Sequence, residues 1–77
     1  MKGIMVTVYT LPSCVQCDST KRFLKKNDIA YEVVVLSTDA EAMESIRAMG
    51  YTAAPVVRVG EKHWSGFRFE LLKQLVA

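Results

Sequence analysis

Apolar and polar positions along this chain fall into blocks of two different periods. Residues 4–9, Ile-Met-Val-Thr-Val-Tyr, are β-branched, aromatic or apolar and stop at the breaker Thr10-Leu11-Pro12-Ser13, which predicts a buried strand. From Val15 to about Asn27 glycine and proline are absent. Over that stretch Cys17, Thr20, Phe23 and Leu24 share one helical face, and Asp18, Lys21, Arg22 and Lys25 share the other. Residues 31–36, Tyr-Glu-Val-Val-Val-Leu, form an almost unbroken apolar run, the pattern of a central parallel strand buried on both faces. Thr38-x-x-Glu41 has the form of a capping box, and Ala42, Ile46 and Met49 lead at helical spacing to Gly50, which predicts a helix over about 39–49. Residues 55–59 alternate into a Gly60-Glu61 turn, and Lys62-His63-Trp64 is long enough for only a short return strand. After a loop at Ser65-Gly66, Leu71, Leu72, Leu75 and Val76 lie on one side of a closing helix that spans residues 69–76.

The order βαβαββα predicts an α/β fold with a four-stranded mixed sheet and three helices distributed over both faces. The first two strands are parallel through a right-handed helical crossover, and the hairpin adds antiparallel. In such a sheet, ligands gather beyond the carboxyl ends of the parallel strands, where the loop carrying Cys14 emerges. The 77 residues suffice for a single domain, 1–77, and 51% hydrophobic with 23% charged residues is an ordinary globular composition. A net charge of +2, clustered at Lys21, Arg22, Lys25 and Lys26, reads as a solvated helix face and not as a nucleic-acid surface. No stretch approaches the roughly 20 apolar residues of a membrane span. Thr7, Tyr9 and Thr10 interrupt the first apolar run with no small-residue cleavage site after it, so it reads as a strand and not a leader. Two cysteines are too few for a disulfide-stapled secreted protein, which points to the reducing cytoplasm.

Those two cysteines, Cys14 and Cys17 of Cys-Val-Gln-Cys, carry the candidate chemistry. Cys14 falls in the first turn of the first predicted helix, where unpaired backbone N–H groups and the helix dipole favour a thiolate, and is the expected nucleophile. Cys17 lies three residues on along the same face, more buried, and is the expected resolving thiol. Pro12 fixes the approach to the helix and Ser13 is a candidate N-cap. An intrachain zinc site normally requires four Cys or His ligands, and the chain adds only His63 to the pair, which argues against it. A cluster shared between two chains and a pair of inert core thiols remain as alternatives. His63 reads as an exposed strand residue outside the site. The four methionines read as the start residue and core filler.

Val-Thr-Val-Tyr-Thr, Pro-x-Cys-x-x-Cys, the later Ala54-Pro55-Val-Val and the His-Trp64-Ser65-Gly66-Phe67-Arg segment together span nearly the whole chain. In these the sequence resembles the glutaredoxin-like NrdH-type redoxins, thioredoxin-fold electron donors to class Ib ribonucleotide reductase. The resemblance implies a cis bond before Pro55 and a substrate peptide running along the backbone of Ala54. It further implies partner contacts at Pro12, Val15, Gln16, Ala54, Pro55, Trp64, Ser65, Gly66 and Phe67. Read for themselves, Trp64 and Phe67 are more often core than interface.

Glutaredoxins driven by glutathione commonly have a basic residue where Leu11 stands and a Gly-Gly-Asp segment near Ser65-Gly66, and this chain has neither. Without such groups two carboxylates have little to hold them, so the resemblance implies reduction by thioredoxin reductase. Many relatives also have Lys at the Leu11 position and Pro where Phe69 stands. The expectation is a monomeric thiol–disulfide oxidoreductase with no bound cofactor or metal. Its electrons would come from NADPH through thioredoxin reductase and pass to the large subunit of class Ib ribonucleotide reductase. A glutathione-dependent glutaredoxin, a metal- or cluster-binding thiol protein and a non-catalytic thioredoxin-fold adaptor are the alternatives.

Overall fold

A computed structural model describes residues 5–76. Its elements run β1 (Val6–Thr10), α1 (Val15–Lys26), β2 (Tyr31–Val35), a 3₁₀ turn (Leu36–Thr38), α2 (Ala40–Ala48), β3 (Val56–Val59), β4 (Lys62–Ser65), α3 (Phe69–Lys73) and a closing 3₁₀ turn (Gln74–Val76). The strand expected from Ile4 therefore begins, within the described residues, at Val6. β1 pairs parallel with β2, Val6 opposite Tyr31 and Thr10 opposite Val35. It pairs antiparallel with β3 on its other side, and β3 forms the expected hairpin with β4. The resulting order β2-β1-β3-β4 is the four-stranded mixed sheet of the thioredoxin and glutaredoxin fold.

The alternation of a strand sends consecutive side chains to opposite faces, and here each face has its own helices. Val6, Val8, Val57 and Trp64 pack with Leu24 of α1 and Leu72 of α3. Tyr9 and Val56 point the other way, onto Leu36 and Ile46 of α2. Leu24 and Leu72 are wholly buried, as the sequence pattern requires of helices that cover a sheet.

Several local details depart from the pattern. β2 is an edge strand and not a central one: β1 takes the central place because it alone pairs with both β2 and β3. Val33 and Val35 are 44% and 37% exposed as a result. The cap of α2 is Asp39, whose Oδ1 accepts from the Ala42 N–H at 3.0 Å. Thr38 instead lies in the 3₁₀ turn with its hydroxyl donating to the Val35 carbonyl, and Asp39 has the extended backbone an N-cap takes. Gly50 ends α2 as expected, at φ +94°, with its N–H on the Arg47 carbonyl. The closing helix is shorter than its apolar spacing suggests, because the chain tightens to 3₁₀ after Lys73 and leaves Val76 45% exposed. Met43 and Met49 do fill space beside Ile46, but Met5 is exposed, and Met1 lies outside the described residues.

The edge position of β2 predicts that Val33→Thr changes stability by less than about 0.5 kcal/mol. Val8→Thr, which buries an unpartnered hydroxyl in the central strand, should cost about 1–3 kcal/mol in urea denaturation.

Candidate dithiol site

The site begins where β1 stops. Leu11 stays partly buried against the Tyr9–Leu36–Ile46–Val56 cluster, so the chain leaves the sheet anchored and not loose. Pro12 is exposed, and Ser13 adopts φ +59°. Cys14 then returns to extended backbone, φ −109° and ψ 106°, and is itself the N-cap of α1. This replaces the expected cap at Ser13, since a residue in the left-handed region lacks the extended geometry an N-cap takes. The Cys14 sulfur accepts the Cys17 backbone N–H at 3.1 Å, and the Cys14 carbonyl accepts the Asp18 N–H. A sulfur in that position faces the unpaired N–H groups and the positive end of the helix, the environment that favours a thiolate.

Cys14 and Cys17 are joined by a disulfide, with their Cα atoms 5.2 Å apart. Cys14 is partly exposed whereas Cys17 is only 1% exposed, so an incoming group meets the Cys14 sulfur. Asp18 and Lys21, the nearest charges on the helix, pair with each other at 3.7 Å on the surface, an interaction of small weight.

Three segments meet beside this pair. The Ala54–Pro55 bond is cis, and the Pro55 carbonyl accepts the Gly66 N–H at 2.8 Å. The Ser65 hydroxyl donates to the Ala53 carbonyl at 3.3 Å, tying the hairpin's end to the loop before Pro55. The Phe67 N–H donates to Gln16 Oε1 at 3.1 Å, tying the same hairpin end to the thiol helix. Gly66 is held at φ +89°, and a Cβ there would lie 3.4 Å from Gln16 Oε1.

Of the residues read from the sequence as partner contacts, Pro12, Val15 and Gln16 are exposed at the start of α1, Val15 by 79%. Ala54, Ser65, Gly66 and Phe67 are partly exposed. Trp64 does not belong with them: at 8% exposure it is a core residue between the sheet and α3, because β4 turns its side chain onto the Val57 face. Pro55 is likewise buried, and Ala54 before it is partly exposed. The bond from Gln16 to Phe67 was not legible in the sequence, where nothing local links positions 51 residues apart. The same holds for Tyr51, whose hydroxyl lies 2.7 Å from His63 Nδ1 on β4. His63 is exposed, as expected.

Arg68, the cation that follows Phe67, bonds Glu70 through Nε at 2.7 Å and holds the Glu70 carboxyl below the usual carboxylate range. Phe69 is 49% exposed and sets its ring edge-on to Phe23. Among the described residues no three His, Cys, Asp or Glu side chains stand close enough to hold a metal, and no helix is long and apolar enough to cross a membrane.

A Cys-x-x-Cys pair at the start of the first helix, beside a cis-proline loop on this sheet, defines a thiol–disulfide oxidoreductase of the thioredoxin fold. The family model for glutaredoxin matches residues 6–64. The chain is 39% identical over 70 residues to the glutaredoxin-like protein NrdH of Escherichia coli K12, covering 91% of this chain and 86% of the relative. It is 37% identical over 71 residues to that of Lactococcus lactis subsp. lactis, covering 92% and 99%. The solved NrdH-redoxin of E. coli superposes with a TM-score of 0.89 at 38% identity, over 92% of this chain and 93% of the other. The chain belongs to the glutaredoxin family, as an NrdH-type glutaredoxin-like redox protein.

Gly66→Ala should destabilise the protein by about 1–2 kcal/mol, the usual cost of a left-handed conformation for a residue with a Cβ. Gly66 also sits against Gln16, so urea denaturation should place this variant below Gly60→Ala, whose Cβ meets nothing within 4 Å.

Proposed function

We propose that this protein is a two-thiol electron carrier that takes electrons from thioredoxin reductase and delivers them to the large subunit of class Ib ribonucleotide reductase. The observation that carries the reading is the inequality of the two sulfurs: Cys14 capped onto a helix N-terminus and accessible, Cys17 buried behind it. The Cys14 thiolate attacks one sulfur of a partner disulfide, forming a mixed disulfide and releasing the first partner thiol. The Cys17 thiolate then attacks the Cys14 sulfur, releasing the second partner thiol and leaving the Cys14–Cys17 disulfide. Two electrons leave the protein for the partner, and NADPH restores them through the flavin of thioredoxin reductase. The carrier needs no bound cofactor of its own.

The partner's peptide would lie along the backbone of Ala54 beside Pro55, between exposed Val15 and the loop Ser65–Phe67. Glutathione is the less suitable reductant. Leu11 packs against the core where a cation would be wanted, and the Arg68 Nε is paired with the Glu70 carboxylate at the surface. The E. coli relative, described by its structure as having a thioredoxin-like activity profile, supports the same choice. A monomer of one domain working in the cytoplasm completes the reading.

The test is NADPH consumption during reduction of a small disulfide, with thioredoxin reductase compared against glutathione plus glutathione reductase. Turnover is expected with thioredoxin reductase alone. Turnover with glutathione alone makes this a glutathione-dependent glutaredoxin, and turnover with neither overturns the carrier reading. Cys14→Ser should abolish the activity, whereas Cys17→Ser should accumulate a mixed disulfide visible by mass spectrometry.

A further inference from the structure

The Gln16 side chain stands in the thiol motif itself yet bonds away from the sulfurs. Its Oε1 accepts the Phe67 N–H, and its own backbone carbonyl accepts the hydroxyl of Thr20, a wholly buried residue. Gln16 is therefore held through its backbone carbonyl to Thr20 of α1 and attached through its side chain to the loop after β4. That loop is in turn bonded through Gly66 to the Pro55 carbonyl and through Ser65 to the Ala53 carbonyl. Gln16 closes the circuit, since these hydrogen bonds link the cysteine segment, the proline loop and residues 65–67 in one chain.

From this geometry we propose that Gln16 is a positioning residue, one that fixes the gap between the dithiol and the loop Ser65–Phe67 so that a peptide disulfide can enter. The inference rests on the carrier reading above, in which partner peptides occupy that gap. Neither intervening residue of the motif is needed to form the disulfide, and Val15, 79% exposed, makes no comparable link. On the carrier reading a small disulfide needs only the exposed Cys14 sulfur, whereas a disulfide embedded in a polypeptide would also lie against residues 65–67. Gln16 should thus matter more for the second kind of substrate than for the first.

The test uses fully reduced protein, freed of reductant, reacted with insulin and with 5,5′-dithiobis(2-nitrobenzoate). Gln16→Met keeps the length and helix propensity of the side chain but removes the strong acceptor. Gln16→Glu keeps an acceptor oxygen for Phe67 while placing negative charge near the thiols. For insulin, Gln16→Met should raise the half-saturating concentration by about 2- to 10-fold, the equilibrium weight of one ordinary hydrogen bond, at an unchanged limiting rate. The aromatic disulfide should be slowed by a clearly smaller factor than insulin. Gln16→Glu should retain the wild-type half-saturation for insulin and move the pH profile of thiol alkylation upward, because a nearby negative charge opposes the thiolate.

An unchanged half-saturation in Gln16→Met overturns the proposal, and so does an equal loss on both substrates, which would mean a general defect of the thiols. A wild-type protein that reduces neither disulfide overturns the carrier reading instead, so the two failures are distinguishable.

Discussion

The site depends on one hydrogen bond, from the Cys17 backbone N–H to the sulfur of Cys14. It makes a cysteine do the work normally given to serine, threonine, asparagine or aspartate at a helix start. Because the cap is the reactive atom, the same N–H that begins the helix also faces the charge a thiolate would carry. Helix formation and thiol activation are therefore one event. The disulfide fits the same arrangement, since one helical turn already sets the two Cα atoms 5.2 Å apart.

Everything around the pair serves to hold that helix start in place. β1 is central and buried, with Val6 and Val8 under α1 and α3 and Tyr9 turned toward α2. Its last residue, Thr10, is buried, and Leu11 continues into the core, so only Pro12, Ser13 and Cys14 bridge strand and helix. A bridge of three residues, one fixed by its ring and one turned to φ +59°, leaves the sulfur little freedom.

What was legible in the sequence follows the range of the forces involved. The strands, the helix over residues 15–26 and the glycine stop at Gly50 rest on periodicity and local sterics, and their positions match to within a residue or two. The sequence pattern misplaced β2, since strand order is decided by pairing across the chain and an apolar run reads the same at an edge as at the centre. Ser13 and Thr38 looked like caps because their residue types suit the role; each lost it to the next residue, which had the extended backbone. Trp64 was assigned to partners by resemblance, but the pairing of β4 with β3 faces it inward beside Val57. The cysteines were readable because their spacing, their place between the first strand and the first helix and the accompanying motifs are all carried in the sequence.

Selectivity for an electron source, by contrast, is written in contacts that no single segment contains. A small thiol with two carboxylates asks for exposed cations or unpaired N–H groups at fixed places. On the side of the site that follows β4, the Phe67 N–H is occupied by Gln16 and the Arg68 guanidinium by Glu70, while the Gly66 N–H is spent on Pro55. Across from it, Leu11 offers packing and no charge. The Phe67 and Gly66 N–H groups, which could recognise a free anion, are thus turned inward to fasten three segments together, and Arg68 is paired locally at the surface. What faces outward is exposed Val15, Pro12 and the edge of the loop at Phe67. Such a surface suits an extended peptide, which brings its own backbone hydrogen bonds and apolar side chains. The internal fastening and the proposed preference for a protein partner would therefore have the same physical origin.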